Sequence, residues 1–244
     1  MFDLKGKKAL VTGSTQGIGF AAAEVLAEYG ATVYINGASS MEKVMAAVKR
    51  INRDNAKPAF CDLSDALAAE KLFEITGPVD ILISNASVQV RKSWDDITEE
   101  EMERQINLNF KAAYRLIKKY APYMKENNWG RIITVGSVQE TKPHKDMLIY
   151  AAMKAAQTNM VVNLAKQLAP FGVTVNNIAP GVIETPRNFD ALSDLEYKQK
   201  VLAGIPAGFP GKVDDCKGQI LLLSSDEGRY ITGENIYIDG GMKL

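Results

Sequence analysis

Short apolar runs rich in β-branched residues alternate with longer segments of helical periodicity along the whole chain. This alternation is typical of a parallel sheet whose connecting helices cover both faces. The predicted strands, nearly all apolar on both faces as buried parallel strands are, are Lys8–Thr12, Thr32–Asn36, Lys57–Cys61, Val79–Ser84, Arg131–Val135, Val173–Ile178 and Asn235–Ile238. We therefore predict an α/β fold, a single doubly wound Rossmann domain over residues 1–244 with a seven-stranded parallel sheet.

Helical patterns fill the intervals between these strands. Gly30 follows the first pattern at the position of a left-handed C-cap, and Thr98 and Glu101 have capping-box spacing at the start of the fourth. The predicted helices are Gly17–Tyr29, Met41–Arg53, Asp65–Ile75, Glu99–Asn127, Ile149–Pro170 and Val213–Ser224. The stretch Glu184–Gly211 has weak periodicity and several Pro and Gly residues, which predicts an excursion above the sheet, with a substrate loop at about 186–211.

The composition limits the partners of the chain. Lys plus Arg balances Asp plus Glu at 29 each, so we expect no nucleic-acid partner. Cys61 and Cys216 match no metal-ligand spacing, and we expect free thiols and no metal site. Residues 1–8 lack the apolar core of a signal peptide, and no apolar run approaches the ~20 residues that cross a bilayer. We expect a soluble cytoplasmic protein with no membrane partner.

A glycine-rich turn follows the first predicted strand and precedes an apolar helix. Its residues are Gly13, Ser14, Thr15, Gln16, Gly17, Ile18 and Gly19. Glycines in this context let backbone N–H groups approach a pyrophosphate while the helix N-terminus offers partial positive charge. The strand before and the helix after the turn are the context that the motif requires. The alternative is a structural turn without a ligand.

The end of the second strand bears on the choice between NAD and NADP. An acidic residue there would bind the adenosine ribose 2′-hydroxyl. This chain instead has Asn36-Gly37-Ala38-Ser39-Ser40, with no carboxylate to repel a 2′-phosphate. Asn36 and Ser39 are candidate cofactor contacts, and Ser40 and Lys43 could also reach the phosphate. These residues favour NADP(H), with NAD(H) as the open alternative.

Tyr150 and Lys154 lie four positions apart at the start of a long predicted helix. Residues at this spacing share a helix face, so the phenol and the ammonium can point into one cleft. Reduction of a ketone needs a proton donor, and a nearby cation lowers the pKa of a phenol toward neutrality. The pair therefore fits acid/base chemistry, although taken alone it also fits a partly exposed helix pair.

Four further motifs occur in order with these. Asn85-Ala86 follows the fourth strand, Asn107 lies on the next helix, Ser137 follows the fifth strand and Pro180-Gly181 follows the sixth. In this combination the chain resembles the short-chain dehydrogenase/reductase family, and the resemblance extends from Leu4 to Gly241.

The resemblance implies a role for each matching residue. Tyr150 is the general acid/base, Lys154 lowers the pKa of Tyr150 and holds the nicotinamide ribose, Ser137 polarises the substrate carbonyl, and Asn107 holds a water that relays protons through Lys154. The implied cofactor contacts are Asp62 and Leu63 for adenine, Asn85, Ala86 and Ser87 after the fourth strand, Pro180, Gly181, Ile183 and Thr185 around the nicotinamide, and Tyr150 and Lys154 themselves. Asp62 could also be a helix N-cap.

Two positions depart from the family pattern. Ser87 stands where the family commonly has glycine, so the local backbone must approach the cofactor with a side chain present. Gln16 stands where the glycine turn usually has Arg or Lys, and it removes one cation that NADP-preferring relatives use.

Substrate choice is expected in the loops at the carboxyl ends of the strands. Candidate contacts are Gln89, Arg91 and Gln139, with Glu140, His144, Arg187 and Asn188 nearby. Such polar residues favour a sugar acid or polyol over an alkyl ketone, and parts of the chain resemble gluconate 5-dehydrogenases. His144, the single histidine, is expected at the rim or on the surface. Plain solvation of surface loops is the alternative explanation for their polarity.

Two other functions stay open at this point, and a third is discounted. A 3-oxoacyl thioester reductase would need a basic patch for a carrier protein, with Arg91, Lys92, Lys142 and Lys145 as candidates. A non-catalytic dinucleotide-binding sensor would have no use for Tyr150. A serine hydrolase is disfavoured because the chain has no Gly-x-Ser-x-Gly elbow. The resemblance also implies a homotetramer that acts on a small-molecule alcohol or ketone.

Overall fold

Seven strands form one parallel sheet in the computed structural model, which describes residues 2–189 and 193–244. The strands are β1 (Lys8–Val11), β2 (Thr32–Gly37), β3 (Ala56–Phe60), β4 (Ile81–Ser84), β5 (Gly130–Val135), β6 (Val173–Pro180) and β7 (Asn235–Ile238). Their order across the sheet is β3-β2-β1-β4-β5-β6-β7, with every neighbouring pair parallel. The predicted fold class is confirmed.

Two hydrophobic layers enclose the sheet. The helices are α1 (Gly17–Glu28), α2 (Met41–Ile51), α3 (Ala68–Thr76), α4 (Glu99–Ile106), α5 (Ala112–Glu126), α6 (Leu148–Leu168), α7 (Leu195–Ala203) and α8 (Lys217–Ser224). Along β1, Ala9 and Val11 pack with α1, α2 and α8, whereas Leu10 packs with α3, α5 and α6. This division follows from the alternation of side chains along a strand, and it explains why the strands are apolar on both faces.

Asp62 and Asp65 form a turn that shifts the start of the third helix to a later residue. The Asp62 carboxylate accepts a hydrogen bond from Ser64 N (2.9 Å), and the Asp65 carboxylate accepts one from Leu67 N (2.8 Å). These bonds hold a turn, so α3 begins at Ala68 and its N-cap is Leu67. The expected start at Asp65 and the cap role considered for Asp62 were both wrong.

A π-helical turn interrupts the predicted helix Glu99–Asn127. The turn spans Asn107–Lys111, and the Ala112 N–H donates to the Asn107 carbonyl across it. The capping box of Thr98 and Glu101 forms as predicted. π-Turns often occur at functional sites because the extra residue changes the direction of side chains.

The excursion above the sheet contains a helix that the sequence pattern did not predict. Helix α7 begins after Asp194, whose carboxylate accepts a hydrogen bond from Tyr197 N (2.8 Å). Residues 190–192 of the predicted excursion lie outside the described residues.

A switch in strand order locates the ligand cleft. The chain proceeds from β1 outward to β2 and β3, then returns to β4 on the other side of β1. Connections diverge at such a point and leave a crevice at the carboxyl ends of the strands. Within residues 2–189 and 193–244, no helix is long and apolar enough to span a bilayer, and no three His, Cys, Asp or Glu residues cluster as metal ligands.

Candidate active site

A cleft of about 1110 Å³ opens at this crevice, between the strand ends and the segment that carries α7. Its walls include the glycine turn, the ends of β2 and β3, the loops after β4, β5 and β6, and the start of α6. Most of the predicted site residues line it. Among the predicted contacts, Ser14, Gly19 and Asn107 are not wall residues.

Ser14 and Gly19 support the glycine turn from behind. The buried Ser14 hydroxyl donates to Val11 O (2.6 Å) and accepts from Asn36 N (2.9 Å). A Cβ on Gly19 would overlap Asn85 Nδ2 and Gly13 O. Gly19 thus permits the close packing of α1 against the strand ends, while the ligand-facing surface is made by its neighbours.

The front of the turn is built for a ligand that needs backbone N–H groups. Gly13 and Gly17 have φ values of +60° and +61°, which favour glycine, and a Cβ on Gly13 would lie 2.9 Å from Ala86 Cα. Helix α1 has no side-chain N-cap, so the amides of its first turn stay available to an anion. Thr15, Gln16 and Ile18 complete this wall. A pyrophosphate fits these groups.

The end of β2 bears no carboxylate toward the cleft. The Asn36 side chain lines the wall, but its Oδ1 accepts from Gly13 N (3.2 Å) and its Nδ2 donates to Ala59 O (3.0 Å) and Cys61 O (3.1 Å). Its polar atoms therefore hold three strand ends together and leave little for a ligand. Ser39 lines the cleft and is exposed.

Ser40 and Lys43, at the start of α2, lie outside the cleft wall. The Ser40 hydroxyl caps this helix by accepting from Lys43 N (3.3 Å), and neither residue lines the cleft. Arg50, which sequence reasoning missed, reaches the turn, with Nη1 3.5 Å from Thr15 O. Arg50 thus places a cation near Gln16, which stands where relatives usually have Arg or Lys. No local sequence pattern predicts this contact of Arg50.

Tyr150, Ser137 and Lys154 meet at the centre of the cleft. Tyr150 lies in the first turn of α6 and is 5% exposed, and Ser137 and Arg187 lie close enough to its hydroxyl to lower its pKa. Ser137 follows β5, and its hydroxyl also accepts from Gln139 N (3.2 Å). Lys154, 2% exposed, donates to Val135 O (2.6 Å) and Gln157 Oε1 (3.3 Å).

Burial controls the pKa of both ionisable residues. It raises the pKa of the Tyr150 phenol, and the Arg187 charge and the hydrogen bond with Ser137 oppose this increase. Burial, followed by the Arg187 charge, lowers the pKa of Lys154 to about 7, and Glu140 opposes that decrease. The Arg187 charge favours the phenolate. Lys154 Nζ lies 5.6 Å from the centre of the Tyr150 ring while it donates to Val135 O.

Asn107 lies one residue from the wall, at the start of the π-turn. Its Nδ2 is 3.5 Å from Glu103 Oε2, and the next residue, Leu108, lines the cleft. The structure brings Asn107 close to the cleft, and among the described residues its side chain hydrogen-bonds with Glu103 and not with Tyr150 or Lys154.

The loops after β3, β4 and β6 close the cofactor side. The Thr12 hydroxyl accepts from Asn85 N (2.9 Å) and Ala86 N (3.1 Å), which holds the loop after β4 against the glycine turn. A Cβ on Gly181 would lie 2.8 Å from Asp239 Cα, so this position needs glycine. The remaining predicted contacts that line the cleft are Asp62, Leu63, Ser87, Pro180, Ile183 and Thr185.

The predicted substrate contacts form one cluster at the rim. Gln139 Oε1 accepts from His144 N (2.6 Å), and Arg91 Nη2 lies 3.2 Å from His144 Nε2. The Arg91 guanidinium also lies 5.0 Å from the centre of the Tyr197 ring on α7. Gln89 lines the same wall. Burial, followed by Arg91, lowers the pKa of His144, which favours neutral imidazole.

Other residues considered from the sequence have different positions. The Glu140 carboxylate lies behind the cleft, where Thr158 (2.7 Å) and Asn235 donate to it. Lys92 pairs with Glu101 (2.5 Å) and does not line the cleft. Lys142 lines it, but its ammonium donates to Met242 O (2.7 Å). Lys145 is exposed and lies outside the wall.

Sequence reasoning named Arg187 only as a loop residue near the substrate contacts, and it did not name Tyr197 or Lys200. All three line the cleft and come from the segment above the sheet. The Arg187 charge acts on Tyr150, although the two residues lie far apart in the sequence. Periodicity and motif spacing contain no signal for such a contact.

Comparison with known proteins finds similarity over nearly the whole chain. A family model described as enoyl-(acyl carrier protein) reductase matches residues 13–243. The 3-oxoacyl-[acyl-carrier-protein] reductase FabG of Escherichia coli (strain K12) is 37% identical over 246 residues, covering 99% of each chain. The FabG of Rickettsia conorii is 32% identical over 246 residues, covering 100% of each.

Two solved structures are similar over nearly their full length. A 3-oxoacyl (acyl-carrier-protein) reductase of Agrobacterium tumefaciens C58 with NADP bound is 34% identical with a TM-score of 0.93, over 98% of this chain and 95% of that one. A gluconate 5-dehydrogenase of Burkholderia cenocepacia J2315 in complex with NADP and tartrate is 29% identical with a TM-score of 0.91, over 99% and 96%.

Proposed function

Because the chain belongs to the short-chain dehydrogenase/reductase family and is an NAD(P)-dependent oxidoreductase, we propose that it transfers a hydride between NADP(H) and a secondary alcohol or ketone of a polar acid, such as a sugar acid. The observation that carries the proposal is the Tyr150 hydroxyl, which meets Ser137 and Arg187 inside a cleft that also contains the glycine turn.

The chain supplies proton transfer and orientation. When bound, the cofactor supplies the hydride acceptor or donor at its nicotinamide ring. In the oxidative direction, the Tyr150 phenolate takes the hydroxyl proton as the carbon–hydrogen bond releases its hydride and a carbonyl forms. Ser137 holds the reacting oxygen through its hydroxyl. Lys154 would hold the nicotinamide ribose, and the reverse direction returns the proton from Tyr150 to the same oxygen.

NADP(H) is proposed over NAD(H) on the charges at the end of β2. The exposed Ala38 and Ser39 present no carboxylate there, and Arg50 approaches the glycine turn. A 2′-phosphate would meet hydroxyls and a cation at this position, with no anion to repel it. The two solved structures described above, whose sequences are 34% and 29% identical to this chain, both contain NADP.

An acidic substrate is proposed on the charges at the other end of the cleft. Among the described wall residues, Asp62 is the only carboxylate, and it follows β3, away from Tyr150. Arg91, Lys142, Arg187 and Lys200 all line the remaining wall. A surplus of cations in a partly enclosed site raises its affinity for anions.

A 3-oxoacyl thioester reductase is the second candidate, favoured by the full-length similarity to FabG proteins. It would need free basic residues for a carrier protein. Lys92 is paired with Glu101, and the Lys142 ammonium donates to a carbonyl, so two of its four candidate cations are engaged. A non-catalytic sensor is disfavoured by Ser137 and Tyr150, which a binding protein does not need.

The test is nicotinamide absorbance at 340 nm with each cofactor and three substrate classes: sugar acids such as D-gluconate, neutral polyols, and acetoacetyl-CoA. We expect NADP⁺ with a sugar acid to give the highest kcat/KM, and Tyr150→Phe to reduce kcat by about 10²- to 10⁴-fold while cofactor binding is retained. Acetoacetyl-CoA as the best substrate would support the second candidate. Cofactor binding without turnover of any compound would support the sensor.

The assembly and location are also proposed. We propose a cytoplasmic homotetramer of single-domain subunits, supported by the family resemblance and by the exposed apolar residues Tyr114 on α5 and Leu148 and Val162 on α6. Light scattering on the purified protein checks the assembly, and a monomer would contradict it.

A further inference from the structure

Arg187 crosses the mouth of the cleft from the segment above the sheet. It lies in a short 3-10 turn, Pro186–Asn188, after β6. Its Nη1 donates to the Ser87 hydroxyl (3.0 Å) and its Nη2 donates to the Ser87 carbonyl (2.7 Å). The Arg187 charge acts on the nearby Tyr150 hydroxyl, and both residues line the cleft. The hydroxyl and the carbonyl of Ser87 are therefore two anchors that orient one exposed cation beside the reacting group.

The charge of Arg187 is not neutralised within the described part of the chain. Ser87 is a neutral partner, and no carboxylate of residues 2–189 and 193–244 forms an ion pair with Arg187. A guanidinium has five N–H donors, and the two bonds to Ser87 take two of them. The remaining donors can bind both oxygens of a planar anion, which is the geometry that distinguishes arginine from lysine.

The other cations of this wall are less available. Lys142 donates to Met242 O (2.7 Å), Lys200 pairs with Glu196 (2.7 Å), and Arg91 lies between His144 and Tyr197. Arg187 is also the one among these four cations whose charge acts on Tyr150. A negative group near the reacting carbon would therefore meet Arg187 first.

We propose that Arg187 binds the carboxylate of an acidic substrate next to Tyr150, and that Ser87 positions Arg187 for this contact. The inference rests on the proposed function and deepens it by naming the residue that selects hydroxy acids and oxo acids over neutral alcohols and ketones. It also gives Ser87 a purpose, since the side chain at this departure from the family pattern supplies one of the two anchors of the guanidinium.

Binding to the NADP⁺-loaded enzyme tests the proposal without requiring turnover. D-gluconate and D-glucitol differ in having a carboxylate or a hydroxymethyl group at one end, so calorimetric titration with both isolates the carboxylate contact. We expect Arg187→Gln to weaken D-gluconate binding by about 10- to 100-fold, the range for a hydrogen bond to a charged group, and to leave D-glucitol binding within twofold. Arg187→Lys should fall between Arg187→Gln and the wild type, because an ammonium keeps the charge and loses the fork.

Two further variants separate the contact from general effects. Arg53→Gln removes the same charge at an exposed position outside the cleft, and it should leave both affinities unchanged. Ser87→Gly should weaken D-gluconate binding two- to fivefold, whereas Ser87→Thr, which keeps the hydroxyl, should restore it.

The outcomes separate a failure of the role of Arg187 from a failure of the proposed oxidoreductase function. Equal losses for D-gluconate and D-glucitol in Arg187→Gln, no loss for either, or no D-gluconate binding by the wild type would overturn the role of Arg187. In each of these cases, turnover that requires Tyr150 would still support the proposed oxidoreductase function. The opposite result is a protein that shows no turnover requiring Tyr150 but binds D-gluconate in a way that requires Arg187. It would overturn the enzymatic proposal and leave the carboxylate site in place.

Discussion

The two ends of the cleft are built differently. At the cofactor end, the polar side chains are mostly occupied within the protein: Ser14 and Asn36 are buried and bonded to backbone groups, and Asn85 holds the turn at Thr12 and Gly13. At the substrate end, Arg187 and Lys200 are exposed residues of the segment above the sheet that reach into the cleft.

This difference separates two kinds of selectivity. The cofactor end is shaped by backbone conformations and close packing, so an added methyl group is expected to damage it. The substrate end is shaped by the charge and length of a few side chains on loops, so substitution there is expected to change which substrate binds and to leave the fold intact. Substitutions at three positions test this contrast.

Lys154 lies where the two ends meet, and its removal is expected to have the largest effect. Lys154→Ala should reduce kcat by about 10²-fold or more and weaken cofactor binding as well, because the ammonium would hold the nicotinamide ribose beside Tyr150. Turnover at 340 nm and cofactor titration measure the two effects. Unchanged values for both would remove Lys154 from its assigned role.

Lys154 also predicts a pH dependence of stability. Its pKa is lowered to about 7 from an ordinary value of 10.5. The burial cost of the ammonium is therefore complete below pH 7 and is relieved as the pH rises toward 10.5, since the folded state then releases a proton that the unfolded state keeps. We expect the free energy of unfolding of the wild type, relative to Lys154→Met, to rise across this window in urea titrations. A flat difference would contradict the lowered pKa.

Gly19 tests the close packing at the cofactor end. Its Cβ would overlap Asn85 Nδ2 and Gly13 O, so Gly19→Ala should cost about 1–3 kcal/mol of stability by overpacking and displace the turn enough to weaken cofactor binding. Thermal unfolding and cofactor titration measure both. Gly218→Ala on α8 is the matched control, because a Cβ there would meet no atom within 4 Å. An effect of similar size in the two variants would contradict the packing argument.

His144 tests the substrate end and should have the smallest effect. Burial and Arg91 lower its pKa, so it is neutral at about pH 7.5, and Tyr150 already supplies the proton. His144→Gln is expected to change kcat/KM by no more than about tenfold, since a neutral hydrogen bond contributes only about 0.5–1.5 kcal/mol. A decrease of about 100-fold or more would show that the imidazole takes part in the reaction.

The sequence predicted the elements that depend on local patterning. The strand β7 was placed with its observed bounds, and the helix α2 began at the predicted residue, Met41, because apolar periodicity and caps act over a few residues. The start of α3 was misplaced because two aspartates formed competing turns, and the π-turn at Asn107 has no periodicity that distinguishes it from an α-helix.

The residues of the candidate site likewise fall into those that local sequence patterns predict and those that only tertiary contacts place. Glycine spacing and the pair Tyr150 and Lys154 could be predicted from sequence, because the geometry of one turn or one helix brings their parts together. The contacts of Arg187 with Ser87 and Tyr150 join positions up to 100 residues apart, and the direction of the Lys154 ammonium depends on β5 beneath it. Only the tertiary structure decides such contacts, since burial and charge at a point in space are set by every segment that folds against it.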